Sequence, residues 1–410
     1  MASVPKHSYN LIFFTQISHS KILNLLTQKN PTIKVGFVYL DMKKLLKINI
    51  PDNRNFGLDL LRFIAIIMVL IDHSQLQLPF SIRPIYQFII FDGVMVFFIL
   101  SGFLIGNIII KQFEVINFKK INNFWLNRWL RTLPAYYFVI FIQIILGGLI
   151  FKPQYWVKYL AFIQDLTFHN GLFFPESWSL SIEEWFYLLF PILIVLISYF
   201  KFNNIKYLLA CCIIIITSII LRHFFITLNN GVNYSKPLWD MTYRSVTFLR
   251  LDSIAYGVLI AWLFNFKKSI FDKLNNIKWG LFGLLFLIFF RWYQLLDENS
   301  FNYYFSKNIY FTISPFLLSL AIPFFFYLKP PNRKLLKIIT YVSLISYSLY
   351  LVNMSVLQNL FINKINFEVI TNNTSLIWAI KFSIFWIGTF LTSIFMYKYI
   401  ECPFMKLRKK

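Results

Sequence analysis

Residues 86–110 read YQFIIFDGVMVFFILSGFLIGNIII, with Asp92 as the one charged residue. An α-helix needs about 20 predominantly apolar residues to cross about 30 Å of hydrocarbon. This stretch has that length and no polar face. The same pattern recurs along the chain, and helices are expected at 57–78, 86–110, 132–151, 178–200, 205–222, 246–266, 277–296, 308–328, 338–362 and 376–399. The expected fold is therefore all-α, a polytopic membrane protein of about ten transmembrane helices.

Composition agrees. Of 410 residues, 58% are hydrophobic, 20% aromatic and only 14% charged, and the mean hydropathy is +0.61. A soluble domain keeps roughly 25% charged residues on its surface. No polar stretch is long enough to hold a separate soluble domain.

The formal charge of +23 does not point to nucleic acid. The basic residues fall in short clusters between the apolar runs, with no compact basic domain and no nucleic-acid motif. Such clusters mark the cytoplasmic side of a membrane protein. With the N-terminus inside, the inner segments hold Lys43, Lys44, Lys47 and Arg54, then Lys111, Lys119, Lys120, Arg128 and Arg131. Further along they hold Lys201 and Lys206, then Lys267, Lys268, Lys273 and Lys278, then Lys329, Arg333, Lys334 and Lys337, and last Lys406, Arg408, Lys409 and Lys410. The outer loops hold fewer basic residues. Both termini are expected in the cytoplasm, and the chain in the plasma (bacterial inner) membrane.

Three divisions follow: residues 1–50 as a cytoplasmic extension, 51–405 as the membrane unit and 406–410 as a basic tail. Residues 1–41 have two modest apolar patches broken by Pro31 and charges, and lack the pattern of a signal peptide. Either Met42, followed by Lys43 and Lys44, is the expected start, or the segment before it is a loosely ordered extension. Cys211, Cys212 and Cys402 match neither a disulfide framework nor a zinc site, and read as packing residues. No metal ligand set and no permanently bound cofactor are expected.

Ionisable groups inside a membrane are costly, so each is a candidate functional residue. In the first expected helix Arg62 and His73 differ by about 1100°, within about 20° of whole turns, and lie about 16 Å apart along the axis. Asp59 joins that stripe one turn from Arg62. The fourth helix carries Glu183 and Glu184 one turn in, the sixth Arg250 and Asp252, and the ninth Asn353. By the expected topology His73, Glu183, Glu184, Arg250, Asp252 and Asn353 lie in the outer half, where lipid cannot satisfy them. One shared polar cavity is expected. A histidine beside a carboxylate suits a general base, and Asn353 can only hydrogen-bond. On the inner side Arg128 and Arg131, at i and i+3, point two guanidinium forks one way, which suits phosphates. The alternatives are a structural ion pair for the first helix and simple interfacial anchoring for the arginines.

Taken in order, these segments resemble the acyltransferase 3 family of membrane acyltransferases. The resemblance runs from about Phe56 to Phe404. It is carried by Arg62 and His73 with ten residues between them, by the run from Phe97 through Ser101, Gly102, Phe103 and Leu104, and by Arg128-Trp-Leu-Arg131. It continues in Trp178-Ser-Leu-Ser-Ile-Glu183-Glu184-Trp-Phe-Tyr187, Leu251-Asp252-Ser253 with Gly257, Ser346-Tyr347-Ser-Leu-Tyr350-Leu, and Glu401-Cys-Pro403-Phe404. The resemblance implies a ten-helix core that moves an acyl group, most often acetyl, from cytosolic acyl-CoA to a hydroxyl of an envelope glycan or another acceptor. It implies His73 as catalytic base or transient acyl carrier, with Glu183 or Glu184 supporting the site. Arg62 would position the donor, and Arg128 and Arg131 would meet the CoA phosphates.

Two departures stand out. Many relatives carry histidine where this chain has Asn353, and the chain ends soon after the last span, with no attached hydrolase-like domain of the kind some relatives carry. The expected partners are acyl-CoA, a glycan or lipid-linked glycan such as lipopolysaccharide O-antigen, exopolysaccharide or peptidoglycan, and the lipid bilayer. A transporter of a sugar or lipid-linked intermediate is the competing class. Transporters also gather charges near the midplane, but often show repeats and broken helices, and no convincing repeat is visible in the sequence. A structural or sensory membrane subunit is the third reading, and would not need His73.

Overall fold

A computed structural model describes residues 46–408, apart from 52–53, 114–116, 148–152 and 169–172. The expected start at Met42 and the segment before it lie outside the described residues. Among the described residues every regular element is helical. The main helices are α1 (Phe56–Ser74), α2 (Arg83–Ile89), α3 (Gly93–Gln112), α4 (Phe118–Gly147), α5 (Pro153–Leu160), α6 (Trp178–Ser198), α7 (Ile205–Leu228) and α8 (Asp252–Phe266). They continue with α9 (Ile277–Leu296), α10 (Tyr310–Ser319), α11 (Ile322–Tyr327), α12 (Arg333–Val352), α13 (Thr374–Met396) and α14 (Cys402–Lys406). π-helical turns at Phe305–Ile309, Asn353–Phe361 and Tyr397–Glu401 make α10, α12 and α13 part of longer helical rods.

Among the described residues eight helices or helical rods are long and apolar enough to cross a membrane. The protein is an all-α polytopic membrane protein. The expected set of ten adds α1 and α8. α1 is 19 residues long and carries Asp59, Arg62 and Asp72, and α8 has 15 residues, about 22 Å at 1.5 Å per residue.

Several boundaries depart from the expected ones for local reasons. The 86–110 run breaks at Ile90–Asp92, because Asp92 caps α3 by accepting from the amides of Val94 (3.1 Å) and Met95 (3.3 Å). α4 begins at Phe118 rather than 132, since a helix carries on past the bilayer wherever backbone bonding continues and hydropathy does not register a polar extension. Arg128 and Arg131 therefore sit well inside the helix instead of opening it, with Arg128 about 15 Å from its start. The sixth expected span begins at Asp252, after a 3₁₀ turn at Thr247–Leu249.

α3 is the most enclosed of the spans, while α7, α9 and α13 turn most of their apolar side chains outward, as lipid-facing helices do. α1 packs against both α3 and α12. α3 and α8 meet through Gly102 and Gly257. A Cβ on Gly102 would stand 2.0 Å from the Ile254 carbonyl oxygen, and one on Gly257 would stand 2.0 Å from that of Ile99. Small residues at such crossings let two backbones touch, which is how helices associate where lipid offers no hydrophobic drive.

Candidate active site

His73 lies in the last turn of α1. Its Nδ1 is 2.5 Å from Oδ1 of Asn353, a fully buried residue at the start of the π-helical segment. The Asn353 amide nitrogen donates to the carbonyls of Leu349 (2.9 Å) and Tyr350 (2.7 Å). That fixes which end of the amide faces the imidazole. An amide oxygen only accepts, so Nδ1 carries the hydrogen and Nε2 keeps its lone pair. π-turns are common at functional sites because they displace a side chain from the α-helical register.

The π segment is tied down from the loop before α6. Glu176 accepts from the backbone amide of Ser355 (2.9 Å) and its hydroxyl (2.6 Å). Tyr350 donates its hydroxyl to the Glu176 carbonyl at 2.9 Å. His73 opens onto a cavity of about 250 Å³, which Asp72, Asp92, Trp178, Asp240, Arg244 and Arg291 also line. Arg244 pairs with Asp92 at 3.2 Å and lies 4.6 Å over the Trp178 ring. Burial pushes the Asp240 carboxyl up from its ordinary value, against the pull of Arg244 and Lys236.

A second cavity, of about 400 Å³, is lined by Arg62, Arg128, Arg131, Ser101, Glu183 and Tyr347 among others. Arg128 lies over the Tyr187 ring at 4.2 Å, bonds its hydroxyl, and stands 3.5 Å from Glu183. Tyr187 in turn donates to Glu183 at 2.6 Å. Among the described residues Arg62 has only a 3.5 Å contact to Ser343 and a 3.8 Å approach to Asp59. No hydrogen bond or ion pair joins Arg131 to any described residue. Three guanidiniums thus share a cavity whose lining holds a single carboxylate, Glu183. A third cavity, of about 600 Å³, continues from the second through Ile105, Ile108, Arg128 and Arg131, and adds Lys406 and Arg408.

The sequence profile of the acyltransferase 3 family, described as an acyltransferase domain, matches residues 55–398. The chain belongs to the acyltransferase 3 family. Among curated proteins it is similar to a Staphylococcus aureus strain COL protein provisionally named as an O-acetyltransferase, 25% identical over 390 aligned residues, 85% of this chain and 57% of the relative. It is also similar to O-acetyltransferase OatA of S. aureus strain NCTC 8325, 30% identical over 275 residues, 61% of this chain and 42% of the relative. The chain thus spans about half the length of the curated relatives it matches. No solved structure matches it significantly.

In this acyltransferase 3 chain the candidate residues divide between distinct surroundings instead of sharing one cavity. His73 and Asn353 meet each other. Glu183 joins Arg62, Arg128 and Arg131. Glu184 turns to α4 and accepts from Thr132 at 2.8 Å. The alternative of an ion pair in the first helix is present but loose, with Arg62 3.8 Å from Asp59; Arg54 bonds both Asp59 oxygens, one of them at 2.7 Å from Nε, and Ser343 donates to Asp59 at 2.7 Å.

Arg250 and Asp252 are fully buried away from both cavities. Asp252 pairs with Arg222 at 2.7 Å, and Arg250 donates to the Arg244 carbonyl at 3.1 Å beneath the Phe311 ring. Sequence reasoning passed over Arg222, although an arginine inside the Ile-rich run of α7 carries the same signal as Arg62. Arg244 was passed over because it reads as a loop charge, and Asp92 although it is the one charge in the expected 86–110 helix.

Proposed function

We propose that the protein is a membrane O-acyltransferase that moves an acetyl group from cytosolic acyl-CoA to a hydroxyl of a cell-envelope glycan. The observation that carries this reading is the run of cavities itself. The second and third cavities gather Arg62, Arg128, Arg131, Lys406 and Arg408 against one carboxylate. Like charges held together in a partly desolvated space favour a polyanion, and the phosphates of CoA are one. The second cavity and the His73 cavity have Val94 and Tyr350 in common, so they adjoin, and in this reading the thioester passes from the arginines to His73 at that junction. The basic loops argue that the arginine end and both termini face the cytoplasm of a plasma membrane.

In this reading Nε2 of His73 takes the proton from the acceptor hydroxyl as its oxygen attacks the thioester carbonyl. The C–S bond then breaks, and CoA leaves as the thiol after receiving that proton. The acetyl group and the glycan follow the names of the relatives and the family resemblance. The test compares envelope glycans from cells expressing wild type, His73→Ala and empty vector by mass spectrometry, at matched membrane expression. An acetyl mass present only with wild type is expected. An identical pattern from His73→Ala would remove His73 from the chemistry.

A further inference from the structure

Two residues line both the His73 cavity and the arginine cavity: Val94 in the first turn of α3 and Tyr350 near the end of α12. Both are buried, and both are held in place. Gly93 presses α3 onto α1 so closely that a Cβ there would stand 2.4 Å from the Ala65 carbonyl oxygen. Val94 therefore has no room to retreat towards α1. The Tyr350 hydroxyl is fixed twice, donating to the Glu176 carbonyl at 2.9 Å and accepting from Ser179 at 2.7 Å. Its ring meets Phe97 edge-on at 6.5 Å. Its own carbonyl accepts from Asn353 at 2.7 Å, the amide whose oxygen holds His73. A tyrosine pinned at hydroxyl and backbone does not swing aside for a passing group.

We propose that Val94 and Tyr350 form a fixed neck between the two cavities, and that this neck selects short acyl groups. The proposal rests on the reading that acyl-CoA enters from the arginine side. A thioester that reaches His73 must push its acyl chain ahead of it, past these two side chains. Beyond them, the His73 cavity is edged by Asp72, Asp240 and Arg244. Met68, Trp239, Leu287 and Met354 line it as well, so the cavity itself offers apolar contact to a longer chain and the selection rests on the neck. A neck that cannot widen favours acetyl over a longer chain.

The test uses membrane vesicles from cells expressing the full chain, with their own envelope glycans as acceptors and empty-vector vesicles as blank. Equal acetyl-CoA and hexanoyl-CoA are supplied together, and mass spectrometry reads the ratio of acetyl to hexanoyl on the glycans. The ratio is internal to each variant, so a general loss of activity cancels. Wild type is expected to favour acetyl by more than tenfold. Val94→Ala and Tyr350→Leu should each lower that preference at least tenfold, while Tyr350→Phe, which keeps the ring, should lower it less than Tyr350→Leu. Glycan acylation with an unmoved ratio in both widened variants overturns the neck alone. Absence of any acyl transfer from either CoA by the wild type overturns the donor reading, and the neck with it.

Discussion

At the scale of single residues, Arg62 and His73 are legible in the sequence because a charge within an apolar run has no cheap explanation. Their partners are not. Asp59 is three residues from Arg62, a spacing that favours a pair, yet Arg54 takes both its oxygens, because helical spacing ranks neighbours on one helix and ignores a segment folding over its end. Adjacent Glu183 and Glu184 look equivalent in sequence and are bound to different partners, Tyr187 with Arg128 and Thr132 respectively.

The tautomer of His73 depends on Asn353. Asn353→Leu removes the acceptor that holds Nδ1–H, and transfer should fall on the order of 10²-fold, the lower end of what general acid–base catalysis contributes. Asn353→Asp keeps an acceptor at the same place and should retain more activity, as initial rates of glycan acylation at matched expression would record. For Arg131, which has no bonded partner among the described residues, Arg131→Ala should raise the KM for acetyl-CoA about tenfold, the equivalent of about 1.4 kcal/mol. The kcat should change far less. A fall in kcat at constant KM would contradict the donor-binding role.

At the scale of elements, apolar length reports where a helix lies in lipid and not where it begins. The expected 277–296 helix matches α9 at both ends, because Asn276 caps it, accepting from the Lys278 amide at 3.0 Å, where the apolar run starts. α4 was misjudged by 14 residues because its polar opening turns carry no hydropathy signal. The π-helical register after α12 has no signature in composition at all, yet it sets the position of Asn353. The α3–α8 crossing is more legible, since Gly102 and Gly257 stand out in apolar runs.

Each glycine faces the backbone of the other helix at 2.0 Å from a Cβ position, so an added side chain cannot be absorbed by a rotamer change. Overpacking commonly costs about 1–3 kcal/mol where side chains can yield, and here a helix must move. Gly257→Leu should therefore abolish the monodisperse peak in fluorescence-detected size-exclusion chromatography, while Gly231→Asn, at a loop glycine whose φ of +84° asparagine tolerates and whose Cβ position has no neighbour within 4 Å, should leave that peak intact. A normal peak from Gly257→Leu would mean that the two helices do not pack this closely.

At the scale of the whole molecule, the buried charges outside the cavities form a brace. Arg222 on α7 is fully buried and bonds Asp252 of α8 (2.7 Å), Asn308 (3.1 Å), Thr312 of α10 (2.7 Å) and the Leu249 carbonyl. One guanidinium thus ties three helical rods and the turn before α8. Arg250 extends the tie by holding the carbonyl of Arg244, whose side chain pairs with Asp92 at the cap of α3. The brace therefore reaches the wall of the His73 cavity without entering it, which assigns Arg250 and Asp252 to shape rather than to chemistry. Removing one member of a buried ion pair strands the other, at a cost of about 3–5 kcal/mol. Arg222→Met should accordingly lower the thermal midpoint of the detergent-solubilised protein sharply. The double variant Arg222→Met with Asp252→Leu removes the stranded carboxylate and should recover part of that loss, though not all, since Asn308 and the Leu249 carbonyl still lose their donor. If the double variant is no more stable than Arg222→Met alone, the charge pair is not what holds the brace, and the neutral bonds to Asn308, Thr312 and Leu249 carry it.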